Sequence, residues 1–179
     1  LRYRLMPYLY TQMWRASRDG IPAVRPLLYD FPQDVAAIAV DDVFMLGPDV
    51  LVAPVLEEGA RERAAYLPQH EGGWYDWHNG EHYPGGVTVT VPAPLGRLPL
   101  FVRAGALIPL GDATKISDER EVLVCGVVEG ASGELYEDDG ETADWRGAGS
   151  TVLRFEVRNG EVAIEQQGEA KPRFNKIAI

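Results

Sequence analysis

Apolar and polar positions follow two different rhythms along this chain. Residues 1–18 place apolar side chains at Leu5, Met6, Leu9, Tyr10, Met13, Trp14 and Ala16, the i, i+3, i+4 spacing of a helix with one face on a core. Arg2, Arg15 and Arg18 are left for water. Pro7 either bends this helix or marks its start, and Gly20 and Pro22 end it. Tyr3, Tyr8, Tyr10 and Trp14 widen the stripe beyond one face, so the helix is expected to be covered on both sides. Residues 23–29 predict a short strand stopping at Phe31 and Pro32, and residues 33–46 permit a short helix.

The rhythm changes at residues 44–56. Val50, Leu51, Val52 and Ala53 are apolar without alternation, as expected of a strand buried on both faces. Gly47, Pro48 and Asp49 turn the chain into it, and Pro54 keeps its end out of the middle of a ladder. Short strands and turns follow. Residues 64–67 run into Pro68, and Gly72-Gly73 opens residues 74–78. Asn79-Gly80 then predicts a two-residue hairpin into residues 81–83. Val87, Val89 and Val91 alternate with Thr88 and Thr90, so the valines face a core. Residues 98–103 and 106–110 are apolar segments flanking Gly105.

Beyond a polar stretch at 112–120, strands are expected over 121–128, 134–136, 151–158 and 161–166, with a fragmentary strand at 177–179. Asn159-Gly160 joins two of them as a second two-residue hairpin. Leu153, Phe155 and Val157 share one face, and Arg154, Glu156 and Arg158 the other. Strands at this spacing point to β-sandwiches.

A length of 179 residues suffices for one ordinary domain or two small ones. With 46% hydrophobic and 25% charged residues, the chain is not disordered by composition. The net charge of −10 argues against a nucleic-acid surface. No apolar run approaches the roughly 20 residues of a membrane helix. Residues 1–25 depart from the acidic balance, with five Arg against one Asp. This basic start admits a transit or signal peptide, but Arg4, Gln12 and Arg15 break any apolar signal region. Secretion from this terminus is not expected, which favours the cytoplasm. The chain opens on Leu1 in mid-helix, as a fragment would. Cys125, the one cysteine, sits among Val122, Leu123, Val124, Val127 and Val128, and is expected to be a small buried hydrophobe.

Candidate chemistry is sparse. Residues 74–78, Trp-Tyr-Asp-Trp-His, admit a sugar-stacking platform, with Asp76 as a catalytic carboxylate. Alternation, however, puts Trp74, Asp76 and His78 on one face and Tyr75 and Trp77 on the other, and core filling is the favoured reading. His70, His78 and His82 are wrongly spaced for a metal, since His78 and His82 straddle a hairpin turn. Residues 137–141, Glu-Asp-Asp-Gly-Glu, admit weak calcium binding but lack the alternating ligands of a calcium loop, so a solvated turn is favoured. No Gly-rich phosphate loop, Gly-x-Ser-x-Gly elbow or CxxC motif occurs, so no cofactor is expected.

Several segments together resemble the C-terminal third of glycoside hydrolase family thirty-one, the α-glucosidases and α-xylosidases. They are residues 2–11 (Arg-Tyr-Arg-Leu-Met-Pro-Tyr-Leu-Tyr-Thr) and 21–27 (Ile-Pro-Ala-Val-Arg-Pro-Leu), then 44–47 with 50–56. Residues 66–68 with 74–76, 99–105 (Pro-Leu-Phe-Val-Arg-Ala-Gly) with 108–109, and 135–142 complete the series. The resemblance implies a mainly β fold, two small antiparallel β-sandwich domains preceded by an α/β remnant of a (β/α)8 barrel. It assigns residues 1–50 to the end of that catalytic barrel, 51–111 to a proximal β-sandwich and 112–179 to a distal, truncated one. The family cleaves α-glycosides with retention, using an Asp nucleophile and an Asp acid/base on barrel loops upstream of the matched segment. Residues 74–81 mimic the nucleophile motif only superficially, with extra residues in a hairpin, so Asp76 is rejected as nucleophile. The resemblance therefore carries no catalytic residue, cofactor or metal ligand onto this chain. Its implied partners are the missing upstream barrel and, for the parent protein, an α-linked oligosaccharide. An orphaned barrel helix would also expose an apolar patch and drive self-association. The alternative function is a non-catalytic carbohydrate-binding module built around Trp74 and Trp77.

Overall fold

The computed structural model describes residues 1–111, 119–141, 149–168, 170, 172 and 176–178. Helix α1 spans Met6–Asp19, with Pro7 in its first turn, where its missing N–H leaves no gap in the ladder. Gly20 closes the helix at φ 72° and donates its N–H to the Ala16 carbonyl.

Residues 23–29 do not form one strand. β1 covers only Val24–Pro26, and a helical turn, α2 (Leu27–Asp30), follows. The turn lets Leu27 be completely buried, and the Phe31 N–H returns to the Leu27 carbonyl at 2.9 Å. The short helix permitted over 33–46 is α3 (Val35–Ile38), after which the chain becomes strand β2 (Phe44–Leu46). β3 (Val50–Val52) is buried at all three positions, as its unbroken apolar run predicts. β4 (Glu62–Leu67), β5 (Trp74–Asp76), β6 (His82–Tyr83), β7 (Val87–Pro92) and β8 (Leu100–Arg103) follow. β9 (Ala106–Leu110), β10 (Glu119–Cys125), β11 (Ser132–Asp138), β12 (Ser150–Arg158), β13 (Glu161–Gln167) and β14 (Lys176–Ala178) complete the order.

The chain forms two compact units, residues 24–104 and residues 1–23 with 105–179. In the first, six strands form one antiparallel sheet in the order β1-β2-β3-β8-β5-β6. β4 and β7 make a second, two-stranded sheet. Met45, Leu51, Trp74 and Phe101 from the large sheet meet Ala65, Leu67 and Val91 from the small one, with Leu27 and Ala37 added by α2 and α3. Each strand contributes a face because side chains alternate, so two thin sheets enclose one core.

In the second unit, β9, β10 and β14 form one sheet and β11, β12 and β13 another. β14 runs parallel to β10, and the other pairs are antiparallel. Leu107 and Val122 pack against Leu135, Leu153, Phe155 and Val157. α1 packs on β9 and β11. Its buried face is Leu5, Tyr8, Thr11 and Gln12, while Tyr10 and Met13 are exposed, a rotation from the face its apolar spacing predicts. Thr11 explains the rotation. Its Oγ1 donates to the Pro7 carbonyl at 2.8 Å and accepts the Tyr136 N–H at 3.0 Å. A strand N–H facing a helix needs such an acceptor, so a hydroxyl displaces a hydrocarbon from the interior. The fold is thus mainly β, built from several antiparallel sheets. Among the described residues no helix is long and apolar enough to cross a membrane.

Candidate functional site

The aromatic segment lies on β5 and the turn after it, and the predicted alternation holds over Trp74–Asp76 but not at His78, which is exposed in the turn. Trp74 and Asp76 point inward and Tyr75 is half-buried. Trp74 is completely buried, its indole N–H bonded to the Pro68 carbonyl at 2.9 Å, with Phe31 and His70 packed at its ring. A sugar cannot stack on a ring with no accessible face, so Trp74 is a core residue. Asp76 is 2% exposed. Its Oδ2 accepts from Arg97 Nη2 at 2.7 Å and its Oδ1 from the His78 N–H at 2.7 Å. This carboxylate ties a turn to a neighbouring loop. The two-residue hairpin predicted at Asn79-Gly80 is not formed, because β5 ends at Asp76 and β6 begins at His82. Residues 77–81 form a wider turn, closed by the Asp76 N–H on the Glu81 carbonyl and the Gly80 N–H on the Asp76 carbonyl, each at 2.8 Å.

The three histidines are dispersed by their bonds. The His78 ring meets the Leu98 carbonyl at 2.8 Å and the His82 ring the Gly72 carbonyl at 2.6 Å. Among the described residues no group of three His, Cys, Asp or Glu side chains has the geometry of a metal site. Cys125 is buried at the end of β10.

The acidic turn at 137–141 satisfies itself internally. Asp138 Oδ1 accepts the Gly140 N–H and Asp139 Oδ1 the Glu141 N–H, each at 3.0 Å. Asp138 Oδ2 receives the hydroxyls of Tyr10 and Tyr136, and Glu137 is paired with Arg120 at 2.8 Å. Burial first, and then the Asp138 charge and hydrogen bond, push the Tyr136 hydroxyl well above its usual range. Trp14 stacks on the Tyr136 ring at 4.7 Å, and the Arg18 guanidinium lies 4.0 Å above Trp14.

Two polar arrangements in residues 24–104 are invisible to motif reading. The first centres on Asp34. It caps α3 through the N–H groups of Ala36 and Ala37 and also accepts the Tyr66 hydroxyl at 2.8 Å and the Gln69 N–H at 2.8 Å. Burial raises the Asp34 carboxyl, but these donors outweigh it and hold the group below its ordinary value. Burial and Asp34 together push Tyr66 up to about 12. An Asp just before a short apolar helical stretch is the one signal that could have exposed it.

The second gathers buried charge around α2. Arg25 Nη1 lies 2.9 Å from Asp30 Oδ1, with Arg25 6% exposed. Arg103 Nε lies 2.9 Å from Asp49 Oδ1. Asp30 feels Arg25, Arg103 and Asp49, and burial raises its carboxyl. Nearby, burial and then the Arg103 charge lower the His70 imidazole from its ordinary value, favouring the neutral ring. Arg25 Nε, Asp30 Oδ2 and His70 Nδ1 are buried and have no hydrogen-bond partner among the described residues. Arg25 escaped notice because it sits inside an apolar run.

The sequence pattern of the glycosyl hydrolase family 31 C-terminal domain matches residues 20–108. A probable glucan 1,3-alpha-glucosidase of Arabidopsis thaliana is 38% identical over 166 residues, 89% of this chain and 18% of its own. An alpha-xylosidase of Saccharolobus solfataricus is 39% identical over 149 residues, 81% of this chain and 20% of its own. The crystal structure of a GH31 alpha-xylosidase from Xanthomonas citri superposes with a TM-score of 0.84 at 31% identity, over 93% of this chain and 19% of that one. The chain thus spans about a fifth of the length of the curated relatives it matches. It belongs to glycosyl hydrolase family 31, of which it carries the C-terminal domain.

Proposed function

We propose that this chain is the bracing portion of a retaining α-glycoside hydrolase whose catalytic carboxylates lie on preceding polypeptide. One observation carries the reading: a chain matched over most of its length accounts for only about a fifth of each relative. The bonds of the carboxylates agree with it. Asp76 and Glu137 are each tied to an arginine, and Asp138 and Asp139 accept bonds that close their own turn. Retaining hydrolysis needs two carboxyl groups about 5–5.5 Å apart across a scissile bond, free to exchange protons and attack carbon. In this reading residues 1–50 are the C-terminal end of a (β/α)8 barrel, 51–111 the proximal β domain and 112–179 the distal one.

The exposed Leu1, Tyr3, Tyr10 and Met13 fit a helix end and flank that other polypeptide covers. Left uncovered, the same face would pair with a second copy, so the isolated chain is expected to elute from a sizing column ahead of a 19.7 kDa monomer. The decisive assay is turnover of an aryl α-glucoside. The 179 residues alone are expected to give none, and maltose-series sugars no heat of binding. Turnover by the isolated chain, abolished by Asp76→Asn, would overturn the reading.

A further inference from the structure

The tripeptide Asn-Gly-Glu occurs at residues 79–81 and again at 159–161. A glycine nitrogen that follows asparagine can lose its proton to a solvent base and attack the side-chain amide carbon. Glycine has no Cβ to obstruct that approach. Both Asn-Gly pairs are exposed, and no atom crowds either glycine. Sequence and exposure therefore predict equal reactivity.

Hydrogen bonding separates the two sites. The Gly80 N–H donates to the Asp76 carbonyl at 2.8 Å. Asn79 Oδ1 accepts the Glu81 N–H at 2.9 Å, and its Nδ2 donates to Glu81 Oε2 at 3.3 Å. Nucleophile and electrophile are both held there. An N–H bonded within the protein reaches solvent base only when that bond opens. Opening two bonds of ordinary worth lowers the reactive population by a factor of about thirty. At the other site the bonded group is the Asn159 N–H, 3.0 Å from Glu129 Oε1. The Gly160 N–H and the Asn159 side-chain amide have no hydrogen bond among the described residues. The two Asp-Gly pairs, where the same ring closure would isomerise aspartate, are guarded as Gly80 is. The Gly20 N–H reaches the Ala16 carbonyl and the Gly140 N–H reaches Asp138 Oδ1, each at 3.0 Å.

We propose that Asn159 is a site of spontaneous deamidation in the folded protein and that Asn79 is spared. The Gly160 nitrogen gives its proton to solvent base and bonds to Asn159 Cγ. The Cγ–Nδ2 bond then breaks, and ammonia leaves with a proton that solvent returns. Water opens the resulting cyclic imide, at Cγ to give aspartate or at the main-chain carbonyl to give isoaspartate. No electrons are exchanged with an outside partner, and water is the one co-reactant. Either product sets a carboxylate close to Glu129. Isoaspartate also adds a methylene to the main chain of a two-residue connection in which Arg158 pairs directly with Glu161. β13 is the edge strand of its sheet, and turn length sets its register, so the lengthened turn loosens it.

Peptide mapping of the 179-residue chain after incubation in mildly alkaline buffer measures aspartate and isoaspartate at both sites. Asn159 is expected to react at least about tenfold faster than Asn79, and in concentrated urea the two rates are expected to converge. Asn159→Gln, whose longer side chain closes the ring poorly, is expected to remove most of the ammonia released by the folded protein while Asn79 keeps its slow rate. In the isolated isoaspartyl form, the amides of β13 are expected to exchange faster than in the parent while those of β3 are unchanged. Equal rates at the two asparagines in the folded protein, or a faster Asn79, would overturn the proposal. A preference for Asn159 that persists undiminished in urea would trace to neighbouring residues rather than to the fold, and would overturn it too. Exchange along β13 that isoaspartate leaves unaltered would overturn the effect assigned to the turn.

Discussion

Two hairpins carry the same Asn-Gly dipeptide and use it differently. Between β12 and β13, Asn159 and Gly160 are the whole connection, with φ 55° and 78°, and Arg158 pairs directly with Glu161. Two left-handed residues give the twist that matches the flanking strands, so the backbone alone makes this turn. Between β5 and β6, Gly80 is left-handed and Asn79 is not. There the connection is held by side chains: Asp76 on the His78 N–H and Arg97, and Asn79 Oδ1 on the Glu81 N–H at 2.9 Å. A dipeptide predicts a turn, but neighbouring carboxylates decide its width. The first hairpin depends on backbone conformation and the second on charge.

The largest effect should come from removing the charge. Asp76→Ala leaves a 78% buried Arg97 side chain without its partner and is expected to destabilise the 24–104 unit by about 3 kcal/mol in urea unfolding. Asp34 extends the contrast within the same unit. Asp34→Ala removes a helix cap and two further bonds and should cost about 2 kcal/mol in the same measurement. Because its folded carboxyl lies below the ordinary value, its contribution is complete above about pH 4 and is lost as pH falls through the lowered value. Tyr66 acts at the other end. Its folded value of about 12 gives stability that is complete below about pH 10 and lost between there and 12. Fluorescence of buried Trp74 followed against pH should report both transitions.

Smaller changes separate the turns themselves. Gly160→Ala and Gly80→Ala would each force a side chain into a left-handed site and should each cost about 1 kcal/mol, although no neighbouring atom obstructs either. The asparagines should divide. Asn79→Gly loses the Glu81 bond and should cost about 1 kcal/mol, whereas Asn159→Gly relieves a left-handed Asn and should change stability by only a few tenths. Equal effects at the two asparagines would show that the turns are held alike.

Much of this was legible in residue order. The unbroken apolar run at 50–53 announced a strand buried on both faces, and the alternating valines of 87–91 announced one half in water. Asn159-Gly160 gave its turn directly. What stayed hidden depends on distant partners. Thr11 turned α1 off its apolar face because Tyr136, far along the chain, needed an acceptor. Residues 23–29 read as strand because local β propensity cannot register that Leu27 must reach a core. The two apolar segments flanking Gly105 gave no sign that β8 and β9 belong to different sheets. Core filling, the reading favoured for the aromatic segment, holds for Trp74, while Tyr75 and Trp77 are only half-buried, since composition cannot tell which side of a ring is covered.

The discontinuity of the second unit has a consequence for biosynthesis. α1 leaves the ribosome with the Thr11 hydroxyl meant for Tyr136, whose codon is read 125 residues later. At ordinary translation rates of about 5–20 residues per second, the helix waits several seconds for its strands. Residues 24–104 emerge meanwhile with a core of their own. A chaperone that shields Tyr8 and its neighbours during that interval, or a stall that lengthens it, would alter the yield of native protein without touching any contact in the finished fold.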